Sequence, residues 1–107
     1  MKIIITSTGN NIDAEFDSRF GRANWFCCLD DTTNDLNFIE NPYKNENGGA
    51  GTKAAELMAE YNAETIIAGD FGPKAKSLIM RLNIKMETLN GKGKTIGEII
   101  KLYNYKI

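Results

Sequence analysis

Three apolar runs along the chain are continuous, and two alternate with polar residues. Lys2 to Thr6 carries Ile3-Ile4-Ile5, Trp25 to Leu29 reads WFCCL, and Thr65 to Ala68 reads TIIA. Runs of this kind predict strands covered on both faces. Leu36 and Phe38 alternate with polar residues before Asn41-Pro42, and Ile84 to Leu89 alternates likewise. Half-polar strands of this kind belong at sheet edges, and proline closes the first because it lacks a ladder donor. Apolar residues at i, i+3, i+4 and i+7 mark three helices: Ala54, Leu57, Met58 and Tyr61; Ala75, Leu78, Ile79 and Leu82; Ile96, Ile99, Ile100 and Tyr103. Pro73 suits a first helical position, and Thr95 with Glu98 forms a capping-box signature.

The predicted order is strand-strand-strand-helix-strand-helix-strand-helix. The hairpin followed by βα units implies an α/β fold with a five-stranded mixed sheet and three helices. Interior strands one, two and four with edge strands three and five give the spatial order 3-2-1-4-5, strand two antiparallel. Connections leave in opposite directions between strands one and four, and open α/β sheets bind ligands at such a switch point. A length of 107 residues fits one domain spanning 1–107.

Three loops converge there. Thr6-Ser7 leaves strand one and runs toward Arg19-Phe20-Gly21-Arg22. Gly48, Gly49 and Gly51 open the first helix, and Gly69-Asp70-Phe71-Gly72 opens the second. Helix N-termini, glycines and two arginines make anion binding the physical reading. The glycines match neither the P-loop nor the dinucleotide fingerprint. Taken singly, they also suit tight helix entry, Asp70 suits an Asx turn, and Arg19 and Arg22 suit pairing with Asp13, Glu15 or Asp17.

Composition narrows the chemistry. The chain has no histidine, two cysteines, 13 Lys/Arg and 14 Asp/Glu, for a net charge of −1. Imidazole catalysis, mixed Cys/His zinc sites and four-thiolate sites are excluded, and no metal-ligating set is expected. The charge is uneven, at −4 for Met1 to Tyr43 and +6 from Phe71 onward. The overall balance gives no reason to expect nucleic acid or a membrane surface. Cys27 and Cys28 are adjacent, point to opposite faces of a strand, and fit buried packing in a reduced, cytoplasmic protein.

The segments Ser18-Arg19-Phe20-Gly21-Arg22-Ala23, Glu40-Asn41-Pro42, Gly48-Gly49-Ala50-Gly51 and Gly69-Asp70-Phe71-Gly72-Pro73-Lys74-Ala75 occur in that order. Together they resemble the dinitrogenase iron–molybdenum cofactor biosynthesis family, the NifX/NifY-like small proteins, from Ile3 to about Tyr103. The resemblance implies a ribonuclease H-like motif fold and a non-catalytic carrier of an iron–sulfur or iron–molybdenum cofactor precursor, with cofactor-assembly proteins as partners. Members that carry cofactor often show His-Phe-Gly where this chain has Arg19-Phe20-Gly21. Imidazole ligates iron and guanidinium does not, so the resemblance carries over the loop but not the ligand.

The site expected on these grounds comprises Thr6, Ser7, Arg19, Phe20, Gly21, Arg22, Gly48, Gly49, Gly51, Gly69, Asp70 and Gly72. Its cargo is an anionic metal–sulfur cluster. The alternative is a regulatory or interaction module for a nucleotide or another phosphate-bearing small molecule. A third reading uses the edge strand at Ile84–Leu89 for a protein partner. Metal-dependent nuclease chemistry needs gathered carboxylates, and strand one supplies none.

Overall fold

The computed structural model describes residues 1–106. Its elements are β1 (Lys2–Ser7), β2 (Trp25–Asp30), β3 (Asp35–Glu40), α1 (Ala50–Glu60), β4 (Thr65–Ala68), α2 (Pro73–Arg81), β5 (Lys85–Thr88) and α3 (Ile96–Leu102). The sheet runs β3-β2-β1-β4-β5. β2 is antiparallel to both β1 and β3, and β4 is parallel to β1 and β5. This is the expected order, with its switch point between β1 and β4.

The continuous apolar runs are explained by cover on both faces. Ile4, Phe26 and Ile66 join Ala54, Ala55, Met58, Ala75 and Ile79 in one core layer, under α1 and α2. Ile3, Ile5, Cys27, Leu29 and Ile67 face the other way, against Ile96, Ile99 and Ile100 of α3. Strand side chains alternate between faces, so an isoleucine run feeds both layers. α1 meets the sheet through three alanines and a methionine, Ala50, Ala54, Ala55 and Met58.

Two stripe positions differ from expectation. Tyr61 and Leu82 are 40% and 37% exposed. Each is the C-cap, where the backbone leaves the helix and the side chain swings off the core face. The helices then end alike. Asn62, Asn83 and Asn104 take positive φ of 58°, 59° and 59°. The following amides reach back to a carbonyl in the last turn: Ala63 to Met58, Ile84 to Ile79 and Tyr105 to Ile100, at 3.1, 3.2 and 3.1 Å. This is the Schellman closure with asparagine in the left-handed position. It also shortens β5 at its start, because the Ile84 amide serves α2.

No helix among the described residues is long and apolar enough to cross a membrane.

Candidate functional site

At the carboxyl end of β1 and β4, the segment Ser18–Phe20 folds back beside Gly69–Asp70. The Ser18 carbonyl accepts the amides of Gly69 and Asp70 at 2.9 and 2.7 Å, and the Phe20 amide donates to the Asp70 carbonyl at 3.0 Å. Only glycine permits this approach at 69, where a Cβ would stand 2.8 Å from the Ser18 Cβ. Phe20 is 1% exposed and fixes the loop from beneath. Its ring lies 5.9 Å from that of Phe26 and 5.4 Å from that of Phe71. The buried Asn41 amide donates to the carbonyls of Gly21 and Ala23, each at 2.9 Å. It thereby ties the loop to the end of β3.

The result is an open cleft of about 420 Å³. Arg19 to Arg22 form one wall, Gly49 to Thr52 a second, and Asp70 to Ala75 a third. The N-termini of α1 and α2 both open onto it. Their N-caps, Gly49 and Gly72, supply no side-chain cap, and neither first turn holds an acidic residue. α3 provides the contrast within the same chain. There Thr95 and Glu98 close a full capping box, as the sequence predicts. Uncapped first-turn amides carry the positive end of the helix dipole and unmet donors. Two such ends share this cleft.

Side-chain charge adds to that field. Arg19 Nε and Nη2 donate to Asp17 Oδ1 and Oδ2 at 3.2 and 3.1 Å. The Asp17 side chain is 4% exposed and that of Arg19 60%. Asp17 therefore orients the guanidinium from below, and its hydrogen bonds and charge raise the Arg19 pKa above the ordinary value. Arg22 Nη1 donates to the carbonyls of Lys44 and Glu46 at 2.9 and 2.6 Å. Neutral carbonyls fix its position and leave its charge uncancelled. Lys74, exposed in the first turn of α2, adds a third cation. Asp70 is the carboxylate on the wall, and its Oδ1 accepts the Gly72 amide at 3.0 Å in an Asx turn.

Eight of the twelve residues expected from sequence line the cleft: Arg19, Phe20, Gly21, Arg22, Gly49, Gly51, Asp70 and Gly72. The other four lie off its walls. Thr6 and Ser7 are fully buried. The Thr6 hydroxyl bonds the Asp17 carbonyl, and Ser7 Oγ bonds the Gly9 carbonyl at 2.7 Å. Both face inward because β1 continues through Ser7, which bridges to Phe16. Gly69 is spent on the Ser18 contact, and Gly48 projects into open space. In the sequence, Asp17 is one pairing option for the arginines and Asn41 marks a strand end. Lys74 and Thr52 also line the cleft, although neither is among the twelve residues expected.

Neither thiol reaches this cleft. Cys27 is fully buried against the α3 layer. Cys28 lines a separate groove with Ile4, Asn37, Ile39 and Tyr61. Burial pushes the Cys27 thiol up to about 12 and the Cys28 thiol up to about 11. Iron–sulfur clusters bound covalently by protein need thiolate or imidazole ligands. The cleft supplies guanidinium, ammonium and backbone amides instead, a donor set that fits an anion held by charge and hydrogen bonds.

Comparison with known proteins places the chain. A model of the family described as dinitrogenase iron-molybdenum cofactor matches residues 1–106. An uncharacterised protein of Methanocaldococcus jannaschii is 31% identical over 106 residues, which cover 96% of this chain and 85% of that one. The apo form of the orange protein from Desulfovibrio gigas superposes with a TM-score of 0.89 at 29% identity, covering 96% of this chain and 86% of that one. A Thermotoga protein of the DUF35 family, solved by NMR, shares the fold with a TM-score of 0.83 at 23% identity, over 96% and 86% of the two chains. The chain belongs to the dinitrogenase iron-molybdenum cofactor family.

Proposed function

We propose that this protein is a non-catalytic carrier that holds an anionic metal–sulfur cofactor of the iron–molybdenum type, or its precursor, in the cleft between β1 and β4. The observation that carries the reading is the convergence of two helix N-termini, both without side-chain caps or first-turn acids, on one cleft. Arg19, Arg22 and Lys74 supply charge there, with the Asp17 carboxylate paired to Arg19 from below and the Asp70 carboxylate on the wall. Backbone amides at the starts of α1 and α2 supply direct donors, and Gly72, where nothing lies within 4 Å of an added Cβ, leaves room for a bulky anion. Exposed Pro73 gives the cleft wall apolar surface, which suits a large anion of low charge density better than a small, strongly hydrated one. Retention without protein thiolates makes the cargo transferable, and cofactor-assembly proteins are the partners this reading implies.

Reconstitution without oxygen tests it. Protein incubated with iron, sulfide and molybdate and then desalted should retain a visible chromophore with bound metal. Arg19→Ala should retain less of it while keeping a native fold. A desalted protein without colour or metal, or a chromophore that Arg19→Ala leaves untouched, would overturn the reading. The same donors suit a nucleotide or phosphate-bearing metabolite, and a thermal-shift screen separates the two. Stabilisation by phosphates with no response to metal–sulfur species would make the protein a metabolite-binding module instead.

A further inference from the structure

The sheet ends at β5, and its outer edge is open. On the inner edge, the Lys85 amide donates to the Glu64 carbonyl at 3.0 Å and the Leu89 amide to the Ala68 carbonyl at 2.9 Å. Alternation along the strand therefore turns the amides of Met86 and Thr88 outward, where no strand among the described residues meets them. Met86 and Thr88 also line a groove of about 500 Å³, with Lys76 of α2 across from them and the Gly69–Pro73 loop at one end.

The charge beside this groove is mainly positive: Asp70 is the carboxylate that lines it, at the loop end, where its Oδ1 accepts the Gly72 amide. Between Phe71 and Met86 the chain carries four Lys/Arg and no Asp/Glu. Lys76 and Arg81 are exposed, and neither forms an ion pair among the described residues. Lys85 is paired with Glu87 at 3.1 Å. In strand alternation that pair occupies the face opposite Met86, so it does not neutralise Lys76. One turn along α2 from Lys76, Met80 is 60% exposed and adds apolar surface.

We propose that β5 accepts an acidic, extended segment of a partner protein as a sixth strand. The partner backbone pairs with the outward amide and carbonyl groups of Met86 and Thr88, and its carboxylates lie toward Lys76. Strand addition draws affinity from main-chain hydrogen bonds and specificity from alternate side chains, while the lysine selects the sign of charge. A nucleic acid could use the cations but has no use for a strand edge. The proposal does not rest on the cargo reading, because it uses the β5 edge and Lys76, on the other side of the Asp70–Pro73 loop the two sites share, and a different class of ligand. Short, charged edges also serve to repel other strands, and the experiment separates these two roles.

The probe is an acetylated and amidated peptide of alternating Glu and Val, titrated into the isotope-labelled full chain. Controls are the same peptide with Lys in place of Glu, the same peptide with alternate backbone amides methylated, and a single-stranded DNA oligomer. The acidic peptide should bind and slow hydrogen exchange at the Met86 and Thr88 amides by about tenfold or more, as new ladder bonds do. Lys76→Glu, whose fold is checked by its amide spectrum, should weaken that binding by about tenfold. The methylated and basic peptides should not bind. Absence of binding, binding without slowed exchange at Met86 and Thr88, equal binding of the methylated or basic peptide, or preference for the DNA oligomer would each overturn the proposal. The methylated peptide leaves the protein unaltered, so its result does not depend on how any variant folds.

Discussion

Gly21 and Gly51 meet backbone to backbone across the cleft floor. A Cβ at Gly21 would stand 2.7 Å from both the Cα and the amide nitrogen of Gly51. The obstacle is helix backbone rather than a movable side chain, so the loop cannot tolerate even one methyl group without parting from α1. Gly21→Ala should therefore destabilise the protein by about 2 kcal/mol, in the range for forced overpacking. Gly48→Ala is the matched control, since nothing lies within 4 Å of the added carbon. It should change stability by less than about 0.5 kcal/mol. Urea unfolding of the two variants checks the contrast, and similar losses for both would contradict the close-approach account.

Lys74 separates cargo binding from stability. It sits in the first turn of α2, on the cleft wall, beside a helix end with no acidic residue. Lys74→Glu should keep or raise thermal stability, because a carboxylate there complements the helix dipole by about 0.3–1 kcal/mol. The same substitution should lower retention of the chromophore formed from iron, sulfide and molybdate, since it places negative charge where an anion would sit. A variant that melts no earlier than the parent yet loses the chromophore would tie the loss to charge rather than to misfolding.

The buried thiols set an alkaline limit. Folding pushes Cys27 up to about 12 and Cys28 up to about 11, chiefly by burial. In the unfolded chain both titrate near about 8.5. The native state thus holds these protons more tightly. The associated stability is fully present below the unfolded pKa and is lost as pH rises through the folded values. Unfolding free energy should fall progressively above about pH 9, and a Cys27→Ala, Cys28→Ala variant should show a shallower decline. At pH 8 a thiol-reactive probe should label the folded chain far more slowly than the chain in denaturant, with Cys28 ahead of the fully buried Cys27.

Much of this architecture could be read from local pattern, and some could not. The run Ile3-Ile4-Ile5 announces an interior strand, because each residue must find apolar cover whichever way it points. Strand order followed from that logic and from edges marked by polar alternation. Pro73 and the Thr95–Glu98 box mark helix starts because capping is a contact between near neighbours. Asp17 and Asn41 are different. The Asp17–Arg19 pair spans two residues and is one of the pairings the sequence offers. What singles out Asp17 is Thr6 holding its backbone from a distant segment, as Asn41 holds Gly21 and Ala23. Thr6 and Ser7 end a strand at the switch point, and strand position alone therefore points them to the cleft. The bridge from Ser7 to Phe16 keeps them inside the protein.

The asparagine helix ends are local and were legible in principle: Tyr61-Asn62, Leu82-Asn83 and Tyr103-Asn104 each follow the last apolar position of a stripe. Asparagine tolerates the left-handed region better than residues with a larger or branched Cβ substituent, and glycine tolerates it best. Asn83 offers the cleanest test, because it is exposed and ends a helix whose start forms the cleft wall. Its φ of 59° would force alanine into the left-handed region, so Asn83→Ala should cost about 1 kcal/mol. Asn83→Gly should keep stability within about 0.5 kcal/mol of the parent, its easier native conformation offset by a more flexible unfolded chain. Thermal and urea unfolding of the pair distinguish this from a side-chain contact. If asparagine acted through its amide group, glycine and alanine would be equally damaging, whereas backbone conformation predicts that only alanine is.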